Sequence, residues 1–385
     1  MPKLKGHIDW FILLPVAGLM LFSLSFVYSA SWAFADHKFD STEVLFFNHL
    51  WRVLVGLVVI IVFSRIDYHF YRKISKPLMT IAIIMLVAVL IVGSSAKGAT
   101  RWLDLGPIRI QPSEILKFAL VIHFASMLAA KQKEIKDLYE GFLPFAIWTG
   151  MACFLIALQP NFSTMMVVFV LSFSMMFVGN INLIHLGTTG IVGFIGASIY
   201  AVSESYRLKR ILSFLGLEEN TAVGYQLNQS LIALGNGGLT GVGPGQSKQS
   251  MFFLPESYGD FIFAIIGEEF GFIGLLLILG AFALIFWRGL LIAKKAPDNF
   301  GYYLATGITI TFALYVIVNA AVNTGLAPTT GVPFPFISYG GTAILLYSSA
   351  IGILLNVSAQ AGVYPKAESI DNDIEVENEE EDDED

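Results

Sequence analysis

The segment WFILLPVAGLMLFSLSFVYSAS, Trp10 to Ser31, decides the architecture. It runs 22 positions without a charged side chain, and a helix needs about 20 predominantly apolar residues to cross the hydrocarbon core of a bilayer. The apolar part of a signal peptide covers only about 7–15 residues, so this segment reads as a retained first span. Similar runs follow at 46–64, 77–94, 112–130, 142–158, 163–179, 182–202, 260–287, 300–324 and 339–359. At these lengths only helices satisfy their own backbone in lipid. The expected fold is an all-α polytopic membrane protein with about ten transmembrane helices. Composition agrees, with 55% hydrophobic and 14% charged residues among 385 against roughly 25% charged in a soluble domain.

An even number of spans puts both termini on one side, and the Lys/Arg distribution says which. With the N-terminus inside, thirteen basic residues fall on the cytoplasmic segments: Lys3, Lys5, Arg65, Arg72, Lys73, Lys76, Lys131, Lys133, Lys136, Arg288, Lys294, Lys295 and Lys366. The short outer loops carry Lys38, Lys97, Arg101 and Arg109 only. The expected topology is therefore N-in, C-in, with one long outer loop, 203–259, between helices 7 and 8. That loop holds an apolar-basic stretch, Tyr206 to Leu217, suited to an amphipathic helix, and then a glycine-rich stretch. The net charge of −7 misleads: residues 367–385 carry twelve acids and no base, while residues 1–366 carry 23 bases against 18 acids. The acidic tail, 366–385, has the composition of a disordered segment. The single cysteine, Cys153, excludes an intrachain disulfide, and the six scattered histidines lack zinc-ligand spacing.

At membrane depth the informative residues are ionisable or backbone-irregular ones, because each is costly there. Four such segments fall on the outer face: Gly98 to Lys117, Gln159-Pro-Asn161, Gly235 to Asp260, and Pro333 to Gly341. Asp260 opens the eighth span, four residues after Glu256. It could cap that helix, worth about 0.3–1 kcal/mol, or act as general base on a hydroxyl within about 2.6–3.2 Å. Arg101, Arg109, Arg210, Lys248, Lys117 and Arg52 supply cations at the same level, as a pyrophosphate requires, although snorkelling explains many such residues. Lys117 follows Glu114 by three residues, the spacing of an intrahelical ion pair. Glu268 and Glu269 lie deeper, and on a helix continuous from Asp260 they cannot both face the interior equally; an interhelical clamp is the expected role. Gly241 to Lys248 does not match a P-loop, and no Gly-x-Ser-x-Gly or His-Glu-x-x-His motif occurs.

Phe26-Val-Tyr-Ser-Ala-Ser31, Gln111-Pro-Ser-Glu114 with Lys117, Leu254-Pro-Glu256 with Asp260-Phe-Ile-Phe263, Gly267-Glu-Glu269 and Pro335-Phe-Ile-Ser-Tyr-Gly-Gly341 occur in this order. Together they resemble the SEDS family of bacterial shape, elongation, division and sporulation proteins, typified by RodA and FtsW. The resemblance runs through all ten spans, so residues 1–365 read as one SEDS-type transmembrane domain. It implies a peptidoglycan glycosyltransferase that polymerises lipid II into a nascent glycan strand on the outer face of the cytoplasmic membrane, beside a class B penicillin-binding protein transpeptidase. The family's essential aspartate falls on Asp260, and its cationic motif residues on Arg101 and Lys117. Gln111, Ser113, Glu114, Arg210, Lys248, Glu256, Ser338 and Tyr339 complete the expected substrate-binding set. Tyr258-Gly259 stands where the family commonly has His-Thr, and Asn161 where it has Asp, which puts helper roles in doubt. Tyr71-Arg-Lys73 leans towards the FtsW branch.

The residues support that chemistry independently. Outside the cell there is no ATP, so a bond made there needs a donor already activated, such as a lipid pyrophosphate. One carboxylate and a basic pocket then suffice for an inverting transfer. No cofactor is required, and a divalent cation stays an open alternative. Membrane lipids are expected partners and nucleic acid is not. A lipid-precursor flippase, with its site near the midplane, and a non-catalytic scaffold of the division or elongation complex are the rival readings.

Overall fold

Polar residues punctuate the apolar chain and cap its helices. Asp9 accepts a hydrogen bond from Phe11 N at the start of α1 (Trp10–Phe39). After it come α2 (Val44–Arg65), α3 (His69–Val92), α4 (Pro112–Ala130), α5 (Leu143–Ala157, entered through a π turn at Leu138–Phe142), α6 (Phe162–Val178) and α7 (Leu183–Val202). Two shorter helices, α8 (Ser205–Phe214) and α9 (Ala222–Gly237), precede α10 (Ile262–Lys294), α11 (Asn299–Asn323) and α12 (Thr342–Gln360). This computed structural model describes residues 7–96, 99–106, 108–217, 221–251, 253–255 and 257–361, so the expected acidic tail lies outside the described residues. Among the described residues nine segments are long and apolar enough to cross a bilayer. The remaining expected span, α6, is apolar but shorter, at 17 residues.

Helices α4, α11 and α12 form the centre: α12 packs along α2, and α11 lies between α10 and α4. Their contact surfaces bury Phe124, Phe312, Tyr315 and Tyr347, where close packing rather than hydrophobic expulsion holds helices together in lipid. By contrast α7 is almost wholly exposed, as a helix facing acyl chains would be.

The beginning of α1 and the end of α12 meet at one end of the bundle, as an even number of crossings requires. Asp9 N donates to Ser358 Oγ at 3.2 Å, and Arg288 Nε donates to Asp9 Oδ2 at 3.0 Å. His69 sits between Asp67 and Asp298, at 2.7 and 2.8 Å. Gln360 Nε2 donates to Asp67 Oδ1 at 3.2 Å. Burial works against ionisation of Asp67, yet hydrogen bonds from the His69 backbone and ring and from Gln360 outweigh it and hold the carboxyl below its usual range.

Three features add to the bundle of spans, and the second of them, an amphipathic helix in the long outer loop, is the one expected from the sequence. First, the α3–α4 connection folds as an antiparallel sheet of β1 (Ser94–Ala96), β2 (Ala99–Leu105) and β3 (Ile108–Ile110), in that spatial order. Second, the long outer loop is structured: the amphipathic stretch forms α8, and α9 follows. Third, α10 starts at Ile262 and is broken at Gly271 (φ 66°, ψ −166°). The chain after α9 docks into that break, with Phe272 N on Gly238 O (2.9 Å), Val242 N on Glu268 O (3.0 Å) and Gly243 N on Glu269 O (3.0 Å). A Cβ on Gly271 would strike the Gly241 backbone.

Glu268 and Glu269 are both buried, because every residue from Phe261 to Glu269 is enclosed, by α1 on one side and by α9 with the chain docked after it on another. Asn236 Nδ2 (3.2 Å), Gln249 N (3.2 Å) and Ser247 Oγ donate to Glu268, and Ser29 of α1 donates to Glu269. The interhelical clamp expected of these two residues is what the hydrogen bonds form.

Candidate active site

Asp260 lies half-buried just before α10, at the end of the bundle opposite the termini. The N-cap of α10 is Phe261, which makes no side-chain cap, and Asp260 stands one residue before it. Its segment is held by backbone contacts. Tyr339 N donates to Tyr258 O at 2.9 Å. Ser338 Oγ donates to Gly259 O (2.7 Å) while accepting from Phe334 N (2.8 Å). Asn319 and Asn323 Nδ2 donate to Asp260 O at 2.9 and 3.1 Å. Gly331, at φ 85°, passes so near that a Cβ there would sit 3.2 Å from Asp260 Oδ2.

The segment leading to Gly331 also receives one of the cations. Arg210 on α8 donates to Thr329 O at 3.0 Å and to Tyr206 Oη, one turn back, with its guanidinium 4.7 Å from that ring's centroid. Ser163 Oγ reaches Thr330 O at 3.4 Å. Arg101 on β2 shares a strand face with the buried Leu103, so its side chain turns in and donates to Gln159 O (3.4 Å) and Pro160 O. Burial pushes the Arg101 guanidinium below its ordinary value, and the charge of Arg210 acts in the same direction. An arginine nonetheless stays protonated. Asp104, the acid nearest Arg101 in sequence, instead pairs across the strands with Arg109 at 2.7 Å. Buried polar atoms without partners ring this region: Gln159 Oε1, Asn161 Nδ2, Arg210 Nε, Thr329 Oγ1 and Thr330 Oγ1. Such orphans mark places where water or ligand completes the bonding.

The remaining expected residues divide. Lys117 is 2% exposed and bonded to Glu114 at 2.6 Å, with Tyr315 Oη donating to the other Glu114 oxygen at 3.0 Å; the spacing-based ion pair is the arrangement present. Ser113 Oγ is buried beside them without a partner, while Gln111 occupies the N-cap of α4 with no side-chain cap. Tyr315 lies one turn from Asn319 on α11, about 6 Å along the axis, so this buried pair sits beneath Asp260. Tyr339 stacks its ring under the Arg52 guanidinium (4.6 Å) and against Tyr258 (5.7 Å). Lys248 is exposed on the loop docked at the α10 break. Glu256 lies outside the described residues.

The cell cycle protein family of FtsW, RodA and SpoVE has a model that matches residues 9–362. The chain belongs to this family. SEDS membership is also carried by its relatives. The chain is 40% identical over 367 residues to the probable peptidoglycan glycosyltransferase FtsW of Trichlorobacter lovleyi, covering 94% of this chain and 96% of that one. It is 42% identical over 347 residues to the stage V sporulation protein E of Bacillus subtilis, covering 88% and 94%. Among solved structures, a chain in work described as structural coordination of polymerization and crosslinking by a peptidoglycan synthase complex superposes with TM-score 0.76 at 24% identity, covering 92% of this chain and 98% of that one. The rod shape determining protein RodA of Thermus thermophilus gives TM-score 0.69 at 22% identity with the same coverage. These two show that the fold is the SEDS fold. The chain is thus a multi-pass membrane protein of the SEDS family.

Within this SEDS chain, sequence reading missed Asn319, Asn323, Thr329, Thr330 and Gly331. They fall in a span or a loop where composition gives no signal; the Gly-Val-Pro run at 331–333 shows only a turn. Among the described residues no group of three His, Cys, Asp or Glu side chains is placed to hold a metal.

Proposed function

We propose that this SEDS chain is a peptidoglycan glycosyltransferase that polymerises lipid II on the outer face of the cytoplasmic membrane, with Asp260 as general base. One observation carries the reading: the 329–332 segment passes beside the Asp260 carboxylate and receives Arg210 on Thr329 O, while Ser163 ties the same segment to the 159–163 stretch, whose main-chain carbonyls hold Arg101. Because no described carboxylate pairs with either arginine, both charges are available to an anion.

In the proposed reaction the acceptor sugar's hydroxyl gives its proton to Asp260 as its oxygen attacks the donor's anomeric carbon. The bond from that carbon to the pyrophosphate oxygen breaks on the opposite side, and the electron pair leaves with the pyrophosphate, so configuration inverts. Arg101 and Arg210 stabilise the charge developing on it. Lys117 balances Glu114 and supports the floor of the site from within. The orphaned atoms of Asn161, Thr329 and Thr330 supply further hydrogen bonds to the substrate. Tyr339 and Ser338 shape the rim, and Lys248 belongs to the outer loop, 203–259. A class B penicillin-binding protein crosslinks the strands made.

A flippase would centre on Glu268 and Glu269, but protein donors already occupy both carboxylates. A scaffold would tolerate loss of the Asp260 charge. Purified Asp260→Asn protein, with its transpeptidase partner and lipid II, tests all three. Polymerisation is expected to fall by about 10²–10⁴-fold with folding, lipid II binding and partner association retained; chains formed at the wild-type rate refute the base assignment.

A further inference from the structure

We infer that Asn319 and Asn323 are positioning residues for Asp260, an inference that rests on reading Asp260 as the general base. Neither asparagine faces the reacting groups. Both lie in the interior of α11, 1% and 0% exposed, and, four apart, they share one helix face.

The two hydrogens of the Asn319 amide go to different pieces of chain: one to Asp260 O (2.9 Å), the other to Val332 O (2.7 Å). Asn323 donates to the same Asp260 oxygen (3.1 Å) and to Asn319 O (2.9 Å), while its Oδ1 accepts from Ala264 N (3.2 Å) in the first turn of α10. A single pair of amides thus fixes the residue before α10, the first turn of α10 and the 329–332 segment relative to one rigid helix. Three consecutive carbonyls, of Tyr258, Gly259 and Asp260, are each taken by a donor from α11 or from residues 338–339. The peptide chain carrying the carboxylate cannot rotate without breaking them.

Buried amides inside a membrane bundle are costly unless satisfied. Apolar residues at 319 and 323 would fill the space on α11, but would leave the Asp260 and Val332 carbonyls without donors. The pair therefore sets distance and direction: Asp260 and the Gly331 segment it faces are registered by the same amide. A base must come within hydrogen-bond reach of its hydroxyl, and a displacement of 1 Å can cost about a hundredfold in rate.

The test uses the full chain with its transpeptidase partner and lipid II. Turnover and KM are measured per molecule competent to bind lipid II, for Asn319→Ala, Asn323→Ala and Asn319→Ser. Turnover is expected to fall roughly ten- to a hundredfold in both alanine variants, with KM and lipid II affinity unchanged. Asn319→Ser, which keeps one donor, should recover part of the loss. A merely structural role would lower the amount of competent protein and leave turnover per competent molecule alone. Wild-type turnover in both alanine variants, beside an inactive Asp260→Asn, overturns this inference and leaves the base reading intact. An active Asp260→Asn overturns both. Where Asn319→Ala does not fold, Asn323→Ala and Asn319→Ser decide by the same comparison.

Discussion

At the scale of single residues, the site depends on what is missing as much as on what is present. Gly331 has no side chain, and its φ of 85° is one that L residues rarely adopt. Gly331→Val brings a Cβ to 3.2 Å from Asp260 Oδ2 and adds branches beyond it. Polymerisation is expected to drop at least about tenfold, read as glycan chain yield from purified protein, with a drop in Tm from the strained backbone. Arg101 and Arg210 make a matched pair of tests. Arg101→Gln and Arg210→Gln should each raise KM for lipid II and lower turnover, because the leaving group loses a cation; unchanged kinetics in both would leave the arginines as ties between loops. Asp260, Arg101 and Arg210 were legible because charges at membrane depth are rare enough to stand out. Asn319 and Asn323 were not, since an amide on an apolar helix looks the same whether it serves a neighbouring helix or a catalytic loop.

At the scale of elements, the break in α10 is the feature that periodicity could not reveal. An apolar run continues smoothly from 260 to 287 in the sequence, and only the docked glycine-rich chain shows why Gly271 is needed. Gly271→Ala is expected to abolish accumulation of folded protein, because its Cβ meets main chain rather than a flexible side chain; monodisperse protein on size exclusion would contradict this. The buried carboxylates behave differently. Glu268→Gln keeps the shape and should polymerise within a few-fold of wild type, whereas Glu268→Ala leaves Asn236, Ser247 and the Gln249 amide without an acceptor and should lose about 1–3 kcal/mol of stability. Strong loss of polymerisation in a folded Glu268→Gln protein would contradict the clamp role. The small sheet had a weak signal, a Gly-Pro turn at 106–107 between runs containing Trp102, Leu103 and Ile110, which the search for long apolar runs passes over.

At the scale of the whole molecule, hydropathy predicts the number of crossings and the basic residues predict their direction, and both are properties a chain displays without folding. Cysteine labelling in a Cys153→Ser background checks the direction: Ser369→Cys and Lys248→Cys should react with impermeant reagent from opposite sides, and reaction from one side would overturn the topology. The tied end is expected to be acid-sensitive. Because Asp67 is held below its usual range when folded, its contribution is present above the unfolded carboxyl pKa and is lost as pH falls through the folded value. Asp67→Asn should therefore lower Tm at neutral pH and converge on wild type in acid. The ties among Asp9, Arg288, Asp67, His69, Asp298 and Gln360 close that end of the bundle, while the proposed chemistry sits at the other. Chemistry held at one end leaves its spent product at that end. On the proposed reading each lipid II disaccharide added would strand one spent lipid carrier in the outer leaflet, so a growing wall would drain the inner leaflet of carrier at the rate of synthesis, and the speed of this protein in a cell would be bounded by whichever other protein brings the carrier home.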